Sequence, residues 1–171
     1  MAKWKKRLRE LALTAVVTAV AMGVVGYLRA PSYENAVLPP MHRLTTDGGI
    51  IDTVSVPTGP YVLHFWATWC PTCRAEAGNI DALAETHRVV TVAVKSGSDS
   101  DIEMFKRKHG LSFAVVNDGN GELASRFRIR VFPTTIIVGK DGKVFWSESG
   151  YTTTAGLAFR LWLAEISDAF R

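Results

Sequence analysis

Residues 61–73, YVLHFWATWCPTC, run from an unbroken apolar and aromatic stretch straight into two cysteines separated by Pro71 and Thr72. No other feature constrains the chain as tightly. A short apolar run of this kind reads as a buried strand, and a proline directly after Cys70 suits the first position of a helix. From Cys73 to Thr86, Ala75, Ile80, Leu83 and Ala84 recur with charged residues between them, so the spacing predicts a helix entered at the cysteines.

The rest of the body falls into place around that junction. LTTDGGIIDTVSV suggests two short strands about a turn at Asp47-Gly48-Gly49. RVVTVAV, residues 88–94, reads as a second buried strand, and DSDIEMFKRKHG, ending at Gly110, as a helix with acids early and bases late, matching its dipole. FAVVND is a third strand, and a short helix spans Glu122 to Phe127. TTIIVG and KVFWSES form a hairpin about a KDGK turn, and a last helix runs from about Thr154 to Phe170 with Leu157, Leu161 and Ala164 at helical spacing. Strand-helix-strand-helix-strand, then hairpin and helix, gives an α/β fold with a central mixed sheet flanked by helices.

The amino terminus is of a different kind. After KWKKRLRE, residues 11–28 carry no charge, and as a helix they would span roughly 27 Å, close to the roughly 30 Å hydrocarbon core of a bilayer. Five basic residues precede the run and Arg29 follows it, which places the start in the cytoplasm and the remainder outside. The alternative is a cleaved signal peptide, since Ala19-Val20-Ala21 fits a small-residue cleavage pattern; the apolar run continuing past Ala21 favours an uncleaved anchor. RAPSYENAVLPP, residues 29–40, has three prolines and no periodicity, and reads as a tether. The expected division is a basic start and transmembrane anchor at 1–28, a tether at 29–40 and one domain at 41–171.

Charge excludes one class of partner. Six of the 20 Lys and Arg residues, and one of the 16 acids, lie within residues 1–30, leaving 14 positive and 15 negative side chains in the body. A near-neutral body gives no support to nucleic-acid binding.

Three readings compete for the cysteine pair. A structural zinc site needs four ligands, and His42, His64, His87 and His109 show no ligand-couple spacing. A structural disulfide closing so short a loop removes little entropy from the unfolded chain. A reversible redox couple uses the position itself: unpaired N–H groups and the dipole at a helix start stabilise a thiolate at Cys70, and Cys73, one turn on, can resolve a mixed disulfide. A thiol peroxidase would place its reactive cysteine in another local pattern.

HFWATWCPTCRAE, with Phe132-Pro133-Thr134 ahead of the hairpin, resembles the thioredoxin fold and, within it, the membrane-tethered TlpA/ResA/DsbE group of bacterial thiol–disulfide oxidoreductases. VAVKSG and GYTTTAGLAFRLWLA are most similar to the ScsD branch, named for suppression of copper sensitivity. WCPTCRAE is also similar to the cytochrome c maturation reductants of that group. The resemblance covers roughly residues 40–170. It implies a periplasmic domain on a single-pass inner-membrane anchor, Cys70 as nucleophile, Cys73 as resolving thiol and a cis Pro133 beside the pair. It further implies no cofactor beyond the Cys70–Cys73 disulfide, no metal, extracytoplasmic cysteine-containing partner proteins and a membrane electron donor. The active-site string leans towards a reductant; a Cu(I)-handling protein is the rival from another class.

Individual positions carry their own alternatives. His64 stands where thioredoxins have a buried acid; it reads as a proton-exchanging group or, more simply, a hydrogen-bonded core histidine. Glu76, three residues after Cys73, matches a glutamate of the ResA-like pattern and reads as a proton relay or as a solvent-facing acid of the first helical turn. Phe132 is bulkier than is usual before the cis proline and should narrow a substrate groove, or simply pack in the core. Trp69, Pro71 and Thr72 flank the cysteines and would tune them, while Phe132, Pro133 and Thr134 would form the groove.

Overall fold

The computed structural model describes residues 2–33, 37–53 and 59–170. Tyr61–Trp66 forms strand β3 at the centre of a five-stranded sheet; β1 (His42–Leu44) and β2 (Ile50–Asp52) pair antiparallel in a separate ribbon. The large sheet has the order β5-β4-β3-β6-β7, with β4 (Val89–Val94) and β5 (Val115–Asp118) parallel to β3, β6 (Thr134–Val138) antiparallel to β3, and β7 (Val144–Ser149) antiparallel to β6. This is the thioredoxin-like α/β architecture.

Alternation along β3 divides the core in two. Tyr61, Leu63 and Phe65 face a cluster with Phe127, Val92 and Ile136, whereas Val62 and Trp66 face one with Ile80, Leu83, Leu157 and Leu161. Period-2 side-chain alternation produces this split, and burying each such large apolar group stabilises the fold by about 1.5–3 kcal/mol. Helices α2 (Pro71–Ala84) and α5 (Thr154–Ala169) supply the second layer, with Ile102 of α3 (Asp99–His109). Ser98 and Asp101 form a capping box at the start of α3, and Gly110 closes it at φ 64°, a left-handed position where glycine carries no Cβ penalty.

Strand β5 begins two residues later than the apolar run FAVVND suggests. The Asp81 carboxylate accepts the backbone N–H groups of Ser112 and Phe113 at 2.6 and 3.0 Å, so these donors are committed before the ladder starts. In the β1–β2 ribbon the expected Asp47-Gly48 turn is present, with Gly48 at φ 88°, while Val54, Ser55 and Val56 of the expected second strand lie outside the described residues.

Helix α1 (Ala2–Arg29) contains a stretch, Trp4–Arg29, long and apolar enough to cross a membrane. The described residues of the 29–40 segment lie against the domain. The Tyr33 hydroxyl donates to the Phe127 carbonyl at 2.9 Å, Val37 bridges Lys143, and Leu38 is buried beside Met41. Prolines keep this segment out of helix, but its few apolar side chains still find core surface.

Candidate active site

The local chain at the cysteines is built as a helix N-terminus. Cys70 is extended (φ −82°, ψ 117°) and caps α2; its Sγ accepts the Cys73 N–H at 3.3 Å, and Pro71 occupies the first turn, where a missing N–H costs nothing. The second thiol lies one turn in. Both are free thiols, Cys70 6% and Cys73 1% exposed. Burial pushes the Cys73 thiol well up, helped by its hydrogen bond with Cys70 and by the negative charge available at Cys70 and Glu76. The pair is therefore asymmetric: a thiol at the helix dipole in front, and a thiol that resists ionisation behind.

The loop before β6 completes one wall. Phe132–Pro133 is cis, and the Phe132 carbonyl lies 3.7 Å from Cys70 Sγ, which donates to it. Phe132 is half-buried and meets the Trp69 ring edge-on at 5.7 Å and 87°; the Trp69 indole N–H donates to the Lys95 carbonyl at 3.1 Å. Trp69 is 55% exposed, and Pro71 and Thr72 face solvent. Thr134 does not line the wall. Its hydroxyl is buried against the Val131 carbonyl and Ser149 Oγ, both at 2.7 Å, so it fixes the loop to β7 rather than offering a surface.

Glu76 is fully buried, so it is not the solvent-facing acid its place in the first turns of the helix allows. Thr152 N–H donates to Oε1 at 3.1 Å and the Thr152 hydroxyl donates to the same oxygen, while Oε2 is buried with no partner. Burial raises its pKa to about 7, partly opposed by the two Thr152 hydrogen bonds and assisted by Glu148. Glu148, itself raised by burial, pairs with Arg160 at 2.9 Å. Thr152, Glu148 and Arg160 escape a reading of the sequence, because they lie more than 70 residues from the cysteines in loop, strand and helix positions with no local signature.

His64 points to the α2 side of β3, where burial lowers its pKa to about 3; Nδ1 lies 2.9 Å from Thr135 Oγ1. The geometry is that of a hydrogen-bonded core histidine. It follows that the His64 ring stays neutral: its proton resonances in NMR should not shift between pH 5 and 8, and a titration midpoint near 6.5 would contradict this.

Among the described residues no three His, Cys, Asp or Glu side chains stand together as a metal site, so a Cu(I) reading rests on the two thiols alone.

Comparison with known proteins agrees with this geometry. The AhpC/TSA family model matches residues 30–147. A thioredoxin-like protein of Haemophilus influenzae is 41% identical over 107 residues, 62% of this chain and 64% of its own length. The thiol–disulfide oxidoreductase ResA of Halalkalibacterium halodurans is 27% identical over 164 residues, 90% of this chain and 92% of the relative. The chain thus spans slightly less than two thirds of the first of these and nearly all of the second. The crystal structure of StoA from Bacillus subtilis superposes with a TM-score of 0.65 at 26% identity, covering 73% of this chain and 98% of that one.

Proposed function

The chain belongs to the AhpC/TSA family, and from that premise we propose that it is a membrane-anchored thiol–disulfide oxidoreductase of the TlpA/ResA/DsbE group, in its ScsD branch. Its domain works outside the cytoplasm, on the far side of a single-pass inner-membrane anchor. The observation that carries the reading is the asymmetric thiol pair, with Cys70 capping α2 and the buried Cys73 donating its N–H to Cys70 Sγ. Relatives described as thiol–disulfide oxidoreductases support it.

In the reducing direction, the Cys70 thiolate attacks a disulfide of a substrate protein. One S–S bond breaks, a mixed disulfide forms, and the departing sulfur leaves as a thiolate. Cys73 then loses its proton and attacks Cys70 Sγ, releasing the second substrate thiolate and leaving a Cys70–Cys73 disulfide; two electrons have passed to the substrate. Glu76, near neutrality in pKa and three residues from Cys73 on the same helix, is the group suited to take that proton. A membrane electron donor would return the pair to dithiol.

The likeness of WCPTCRAE to the cytochrome c maturation reductants favours the reductant direction. Equilibration of the full chain in detergent micelles with glutathione buffers should give a potential near that of thioredoxin, about −270 mV. A value near about −120 mV, that of a strong oxidant, would overturn the direction.

A further inference from the structure

We propose that a basic groove beside the cysteines selects protein substrates in which an extended acidic segment flanks the exchanging cysteine. The proposal rests on the exchange reading above. Trp69 and Phe132 wall a surface cavity of about 370 Å³ on its cysteine side, and Lys95, Arg128 and Arg130 line it elsewhere. The Phe132 carbonyl accepts from Cys70 Sγ, so a residue that walls the cavity also touches the reacting sulfur.

Charge gives the groove its preference. The body beyond residue 30 is nearly neutral, yet three cations converge here, and none of the three takes part in an ion pair found among the described residues. Glu122, the acid of α4 (Glu122–Arg126), is hydrogen-bonded to Asn120; the Lys95 side chain packs over the adjacent Gly121 but makes no ion pair with Glu122. An acidic segment would supply the missing counter-charges.

Backbone geometry gives independent support. Lys95 (φ 47°) and Arg128 (φ 53°) are the non-glycine residues with positive φ among the described residues, and both line this groove. Arg128 follows the Phe127 cap of α4; its N–H donates to Ser125 O and the Ile129 N–H to Ala124 O, the closing pattern in which the left-handed residue is usually glycine. At Lys95 the backbone is held by its N–H to Asp118 O and by its carbonyl to the Trp69 indole. Two positions that glycine would fill without strain carry cations instead, and both cations sit at the substrate wall. An anionic lipid surface is the other ligand of basic side chains, but it would not use a cavity bounded by the reacting loop.

The test uses the reduced full chain in nanodiscs of neutral phosphatidylcholine and two disulfide-bonded peptides that differ only in flanking residues, Asp/Glu in one and Lys in the other. Neutral 4,4′-dithiodipyridine reports exchange without a peptide. Expected is a kcat/KM about tenfold higher for the acidic peptide, the scale of two or three exposed charge contacts, which falls towards equality in 0.5 M salt. In the Lys95→Gly/Arg128→Gly/Arg130→Ser variant the ratio should approach one, with the melting temperature held or raised because two left-handed positions are relieved. Equal rates for both peptides with wild-type protein, while dithiodipyridine still reacts, overturn the groove alone and would point those cations to lipid. A preference that survives in the variant overturns it too. No reaction with dithiodipyridine or either peptide overturns the exchange reading itself.

Discussion

The Cys70→Ser variant loses disulfide exchange completely, because a hydroxyl in that place can form no mixed disulfide. Its fold should persist. Serine is a favoured helix N-cap, so the bond now made by Cys70 Sγ to the Cys73 N–H has a ready substitute, and the melting temperature should stay within a few degrees of wild type. Cys73→Ala behaves oppositely. Attack by Cys70 continues, resolution stops, and the substrate remains covalently bound. In living cells, non-reducing gels should show the Cys73→Ala chain in high-mass adducts that dithiothreitol dissolves and that vanish in the Cys70→Ser/Cys73→Ala double variant. Adducts surviving in the double variant, or turnover persisting with Cys70→Ser, would contradict the assignment. Mass spectrometry of those adducts names the partner proteins.

The second large effect belongs to Glu76. Its folded pKa, about 7, lies above the 4.5 of an unperturbed glutamate. The unfolded chain therefore releases this proton first as the pH rises. Its favourable linkage is complete below about pH 4.5 and is lost progressively as the pH passes through 7, a change on the order of 3 kcal/mol. Glu76→Gln keeps an acceptor for both Thr152 donors and never ionises. At pH 8.5 it should raise the unfolding free energy by about that amount, and the fall in stability between pH 4.5 and 7 attributable to this group should disappear in denaturant titrations. Function should move the other way. With no base beside Cys73, decay of the mixed disulfide should slow by about 10²-fold and lose its inflection near pH 7. A stopped-flow profile with that inflection intact would assign the proton to another group.

Much of the architecture is legible in the sequence, and for local reasons. The apolar run 61–66 is β3 to the residue, since an unbroken stretch of that length can be satisfied as a strand buried on both faces. Asp99–His109 carries its own start and stop signals in Ser98 and Gly110. Difficulties arise where a distant segment intervenes: Asp81 takes the donors that would have extended β5, and Leu38 and Tyr33 draw a proline-rich segment onto the core. At the site, Cys70 and Cys73 announce themselves through their spacing and the proline between them. Glu76 could be chosen by its spacing but not given an environment, and Phe132, Pro133 and Thr134 stood as equal groove positions until burial turned the Thr134 hydroxyl inward.

The sequence by itself determined the order of elements, the apolar amino-terminal helix and the placing of two thiols at a helix start. Each depends on patterns between near neighbours in the chain, which helix and strand periodicities, caps and uncharged runs make explicit. Tertiary structure alone decided the chemistry around those thiols. Thr152 reaches Glu76 across 76 positions, and Lys95 and Arg128 line one groove only because β4 and α4 end beside the same wall. Desolvation and charge clustering depend on which surfaces close together in space, so the pKa values and the groove exist only once the chain has folded.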